Sequence, residues 1–122
     1  MSRVRTRDTK PEVLVRSALH RAGFRFRLHR RDLPGKPDIV LPRFRTVVFV
    51  NGCFWHGHHC SKGKRPRTNT EFWNRKIDAN VERDAMVKRE LERLGWNVVT
   101  IWECSVDEAV ESLVRRLDSL RT

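Results

Sequence analysis

The sequence predicts an α/β fold in which a mixed β-sheet is flanked by helices, and three observations carry that prediction. Apolar residues recur at helical spacing in three separate segments. A strand-length apolar run, TVVFV at 46–50, follows two shorter strand signals, and one more strand pattern separates the last two helices. The order along the chain is helix, three strands, helix, strand, helix, which is how a layered α/β architecture is written in sequence.

The elements are justified one by one. Thr9 and Glu12 fit a capping box, Leu14, Ala18 and Ala22 recur every fourth residue, and Gly23 can close the end, so a helix is expected over 10–22. Phe24, Phe26 and Leu28 alternate with Arg25, Arg27 and His29, the period of a half-buried strand. After the turn signal LPGKP, residues 38–41 and 46–50 read as two more strands. The second is almost continuously apolar and is therefore expected at the centre of the sheet. A charge-laced helix over 71–94 ends at Gly95, and WNVVTIW (96–102) reads as another buried strand. The last helix opens with a Ser105 and Glu108 capping box and places Val106, Ala109, Val110, Leu113, Leu117 and Leu120 on one side.

A chain of 122 residues fits one domain, 1–122, with a single core. Lysine and arginine number 26 against 15 acidic residues, a formal net charge of +11 that points to a polyanionic partner. Nucleic acid is the first candidate. No apolar run approaches the roughly 18 residues that span a bilayer, and MSRVRTRDTK lacks an apolar signal core, so a cytoplasmic protein without a membrane partner is expected. The segment SKGKRPRTNT, 61–70, reads as a basic loop whose Lys62, Lys64 and Arg65 are expected to meet phosphates.

The most specific signal is NGCFWHGHHC, 51–60, which holds two of the three cysteines and three of the five histidines. An odd cysteine count argues against a disulfide framework, and a reducing compartment keeps thiols available as ligands. Zinc takes four thiolate or imidazole ligands in a tetrahedron. Cys53, Cys60 and one of the histidines supply three, and Cys104, beyond the last strand, is the remaining thiol. The bland alternative is three buried reduced cysteines beside exposed histidines. A site closed by four protein ligands is structural, so catalysis needs another centre. Asp38, at the start of an apolar strand, is either that centre or merely part of the turn LPGKPD.

Six blocks taken together resemble the very-short-patch repair (Vsr) DNA mismatch endonucleases. They are RDTKPE (7–12), LPGKPDIV (33–40), VNGCFWHGHHC (50–60), EFW (71–73), NVERD (80–84) and LGWNVVTIWEC (94–104). The resemblance implies a restriction-endonuclease-like core with a structural zinc site. It also implies a bacterial, nucleoid-associated enzyme that nicks duplex DNA at T:G mismatches arising from deamination of 5-methylcytosine, and one compact basic domain favours a monomer. Expected partners are the mismatched duplex, mismatch-repair proteins and a repair polymerase. On the matching positions, Asp38 and the backbone carbonyl of Val50 would hold catalytic Mg2+. His56 would be the general base or acid, with Glu12 a supporting carboxylate. Cys53, His58, Cys60 and Cys104 would hold Zn2+, and Phe54, Trp55 and Trp73 would form an aromatic wedge at the mismatch.

The chemistry is coherent with that set. Phosphodiester hydrolysis needs a metal to polarise the phosphoryl oxygen and a base to activate water, and imidazole suits the second task. Magnesium keeps most of its waters and needs one or two carboxylates. Two departures accompany the match: Asn51 stands where members often carry a histidine, and the chain starts about where the DNA-gripping arm of longer members ends. Two other readings stay open at this point, a restriction-type nuclease of the same fold and a non-catalytic, zinc-stapled DNA-binding module.

Overall fold

Helix α1 (Lys10–Arg21) leads into a short strand β1 (Arg27–Leu28), then β2 (Ile39–Leu41), β3 (Thr46–Asn51), helix α2 (Thr70–Arg93), strand β4 (Asn97–Trp102) and helix α3 (Val106–Leu120). The computed structural model describes residues 9–54, 56–58, 60 and 64–121. Trp55, His59 and Lys62 therefore lie outside the described residues. The four strands form one sheet in the order β1-β2-β3-β4. The first two pairings are antiparallel and β3 pairs with β4 in parallel, so the sheet is mixed, as expected.

Alternation along the strands divides the core between two faces. On one face Ile39, Leu41, Val48 and Ile101 pack with Val15 and Leu19 of α1 and Leu113 and Leu117 of α3. On the other, Val40 and Val47 pack with Leu91 and Trp96, and with Val87 of α2. Strand β3 thus touches helices on both sides, which is why TVVFV has no polar alternation. Both helix ends that carry glycine close with the same bond: Phe24 N–H donates to Leu19 C=O and Trp96 N–H to Leu91 C=O, each at 3.0 Å.

Four local expectations are corrected. The buried stripe of α1 is Glu12, Val15 and Leu19, whereas Leu14 is 42% exposed. The true 3.6-residue face begins on a charged residue, which an apolar count passes over. Neither Thr9 nor Ser105 makes a side-chain cap hydrogen bond, and Glu12 lies instead beside His29. Strand β1 is shorter than the alternating pattern, because Phe24 turns inward, edge-on to Phe44 at 5.6 Å, and His29 ends the pairing with a left-handed φ of 51°. Strand β4 is an edge strand and only half-buried, with Ile101 its one fully buried residue. Among the described residues no helix is long and apolar enough to cross a membrane.

Candidate active site and metal centre

Asp38 sits at the entry to β2, and its position is set by two backbone bonds. Its Oδ2 accepts the Val50 N–H of β3 at 2.7 Å, and its own carbonyl accepts the His29 N–H at 3.1 Å. The carboxylate faces a cleft of about 630 Å³ lined by Glu12, Asp38, Asn51, His56, Arg83 and Asp84, among others. Burial pushes the Asp38 carboxyl up to about 6, and the neighbouring Glu12 charge adds to the rise, against the opposing Val50 N–H and the His29 and His56 rings. Glu12 is only 2% exposed, and its Oε1 lies 2.8 Å from His29 Nε2. A buried carboxylate and a half-buried one crowded in this way call for a cation, and hard oxygen donors of this kind fit Mg2+.

Across the same cleft, His56 Nδ1 lies 2.5 Å from Asp84 Oδ2, a residue of α2. A carboxylate oxygen facing Nδ1 favours the tautomer that carries its proton there, with Nε2 as the acceptor. Val50 reaches Asp38 through its N–H and lines the cleft.

The loop after β3 folds back on itself to gather soft ligands. His58 N–H donates to Cys53 C=O, and Cys60 N–H to His58 C=O, both at 3.0 Å. One ligand atom from each of Cys53, His58, Cys60 and Cys104 lies within 4.8 Å of the others. Cys104 Sγ is 3.5 Å from His58 Nδ1. In a tetrahedral zinc site with bonds near 2.3 and 2.0 Å, sulfur and nitrogen ligands are about 3.5 Å apart, so the spacing suits the ion. The cluster can therefore hold a metal such as zinc. Burial, reinforced by the adjacent Cys60 and Cys104 thiols, pushes the Cys53 thiol up to about 12. Cys104 lies in the 3-10 turn Glu103–Ser105 that follows β4, so the cluster ties the loop to the end of the sheet. Trp102 stacks flat on His58 at 4.2 Å, and Glu103 Oε1 accepts the Cys53 N–H at 3.1 Å.

The aromatic residues form a row at the start of α2. Phe54 meets Trp73 edge-on at 5.5 Å, and Trp73 meets Phe72 in the same way at 5.2 Å. Phe72 is 57% exposed, so the row opens to solvent. Lys64 is exposed, while the Arg65 guanidinium bonds Asn74 at 2.9 Å and Asp78 at 2.8 Å on α2.

The structure brings Glu12, Asp38 and His56 to one cleft, and the four soft ligands to one point, from segments far apart in sequence. His29, Asp84 and Glu103 were not singled out by sequence. His29 reads as the polar half of a strand alternation, and Asp84, although it closes the block NVERD, carries no role that the sequence assigns.

Residues 1–62, half of the chain, match the family model described as DNA mismatch endonuclease Vsr. The DNA mismatch endonuclease Vsr of Escherichia coli (strain K12) is 47% identical over 87% of this chain and 68% of its own length. The chain belongs to the Vsr family. Two further relatives of this Vsr-family chain are named as type II nicking enzymes. V.XorIIP of Xanthomonas oryzae pv. oryzae is 48% identical and V.NmeAIP of Neisseria meningitidis serogroup A is 46% identical, each over 96% of this chain and 88% of the relative. Vsr relatives act on DNA as endonucleases, and the restriction-endonuclease-like fold of the family agrees with the mixed sheet between helices described above.

Proposed function

We propose that this Vsr-family chain, as one domain, is a Mg2+-dependent endodeoxyribonuclease that nicks duplex DNA at T:G mismatches and so initiates very-short-patch repair. One observation carries the reading: the His56–Asp84 pair opens onto the same cleft as the buried carboxylate of Glu12 and the half-buried carboxylate of Asp38. An inert DNA-binding module has no need of a base and two crowded acids in one cleft. Asp38, with Glu12 and the Val50 carbonyl, would hold Mg2+, which when bound polarises the phosphoryl oxygen and neutralises developing charge. His56 Nε2 takes the proton of the attacking water, and Asp84 stabilises the imidazolium that results. Asn51, 9% exposed at the end of β3, offers an amide to the cleft. Cys53, His58, Cys60 and Cys104 would hold structural Zn2+, so the loop bearing His56 is braced on both sides.

Net charge of +11 supplies phosphate affinity, with Lys64 and the neighbouring Lys62 as contacts; Arg65 both braces the loop and adds to that field. The chain would work as a monomer in the bacterial cytoplasm, on nucleoid DNA, passing a nick to mismatch-repair proteins and a polymerase. The test is a nicking assay on T:G and T:A duplexes of otherwise identical sequence, with and without Mg2+. Equal cutting of both duplexes would favour a restriction-type specificity, and no cutting of either would leave only a binding module.

Phe54, Trp55 and Trp73 would enter the base stack beside the mismatch, where a wobble pair lowers the cost of unstacking. Stacking of a base on an aromatic ring contributes about 1–3 kcal/mol, so Trp73→Ala is expected to weaken binding to a T:G duplex roughly tenfold more than binding to T:A. Lys64→Ala should weaken both alike and flatten the salt dependence. Paired titrations at two salt concentrations check this; equal losses on both duplexes for Trp73→Ala would end the wedge reading.

A further inference from the structure

His29 has no place in the chemistry above, yet it stands at the centre of the carboxylate cluster. Glu12 from α1, Asp38 from the entry to β2 and His29 from the turn after β1 each offer a ligand atom, and all lie within 4.8 Å of one another. The spacing of His29 Nε2 from Glu12 Oε1 is 2.8 Å. Neighbouring ligands of an octahedral ion with bonds near 2.1 Å are about 3 Å apart, so the pair already spans one edge of such a polyhedron.

The backbone holds the imidazole there at some cost. His29 has a φ of 51°, a conformation that few non-glycine residues adopt, and its N–H donates to Asp38 C=O at 3.1 Å. Strain of this kind persists where the surrounding structure enforces it, commonly at functional sites. Glu12, at 2% exposure, and the half-buried Asp38 are like charges brought together, and a cation between them offsets their repulsion.

We propose that His29 is a nitrogen ligand, making Glu12, His29 and Asp38 a mixed oxygen–nitrogen site that takes a transition-series divalent cation such as Mn2+ more tightly than Mg2+. The proposal rests on the reading of this cleft as a metal-holding nuclease site. Imidazole is a good donor to Mn2+, Fe2+ and Co2+ but a poor one to Mg2+, which prefers an all-oxygen shell. The site lacks thiolates, so zinc sorts to the cysteine cluster and the harder ion to the cleft.

Pulsed electron paramagnetic resonance on the zinc-loaded full chain with Mn2+, without DNA, reads ligation directly through nitrogen-14 coupling. The wild type is expected to show imidazole coupling, His56→Gln to retain it and His29→Gln to lose it. Glutamine still offers an N–H to Glu12, so His29→Gln separates ligation from positioning. Mn2+ affinity should fall about tenfold or more in His29→Gln, with Mg2+ affinity, measured by competition, changing less than about threefold. Absence of Mn2+ binding, absence of nitrogen coupling, or coupling lost in His56→Gln but kept in His29→Gln each overturns the proposal. Should the His29 signature be present while no duplex is nicked with any cation, the nuclease reading falls and the ligand assignment stands.

Discussion

Asp38→Asn is expected to lose at least about 10³-fold in nicking, because a metal ligand contributes several kcal/mol of charge stabilisation, while DNA binding stays largely unchanged. The same change should make the Mg2+-free protein more stable. The Asp38 carboxyl is raised from an ordinary 3.8 to about 6, chiefly by burial, so the folded state binds its proton more tightly than the unfolded chain does. Stabilisation from that proton is fully present below about 3.8 and is lost as pH rises toward 6. At neutral pH the buried charge therefore costs roughly 2–3 kcal/mol, which a neutral amide avoids while its oxygen still accepts the Val50 N–H. Urea melts of both proteins from pH 4 to pH 7, in Mg2+-free buffer, check the sign. The wild type should lose stability across this window relative to Asp38→Asn; a variant that is less stable at pH 7, or one that still nicks at the normal rate, would show that the carboxylate is neither strained nor catalytic.

Removal of zinc is expected to have the largest effect on the fold. The cluster ties the loop after β3 to the turn after β4, and metal binding that exists only in the folded state adds its free energy to folding. Loss of several kcal/mol corresponds to a fall in melting temperature on the order of 10–20 °C. Strong chelation, or Cys104→Ser, should produce that fall and disorder the His56 loop, with nicking lost as a consequence. The two histidines should separate cleanly. His58→Ala is expected to release zinc, whereas His56→Ala is expected to keep one zinc per chain and lose activity. Elemental analysis and thermal melts decide the matter: purified protein with no zinc and an unchanged melt after chelation would remove the staple, and zinc loss in His56→Ala would reverse the division.

Some of this was legible without coordinates because it is local or compositional. The helix and strand order follows from short-range periodicity, and β3 announced its central place by lacking polar alternation, since both its faces meet helices. The cysteine and histidine cluster stood out because soft ligands crowded into ten residues are hard to explain otherwise. Charge of +11 pointed to a phosphate-bearing partner whatever the fold. Glu12 illustrates the limit. Its sequence neighbours suggested a helix cap, but the structure buries it against His29 instead, and only the packing of α1 on the sheet creates that neighbourhood.

By itself, then, the sequence determined the order of elements, the charge that calls for a polyanionic partner and the crowding of cysteines and histidines after β3, all properties of spacing and composition, whereas the choice of His58 among the histidines came from the family resemblance. Tertiary structure decided which charges meet. The pairing of His56 with Asp84, of Glu12 with His29 and of the Cys53 N–H with Glu103 joins residues separated by long stretches of chain. The same is true of the rise of Asp38 to about 6, which depends on burial and on Glu12, a neighbour from helix α1. Electrostatic interaction depends on distance through space and on the water excluded from between the groups, and neither quantity exists until the chain has folded.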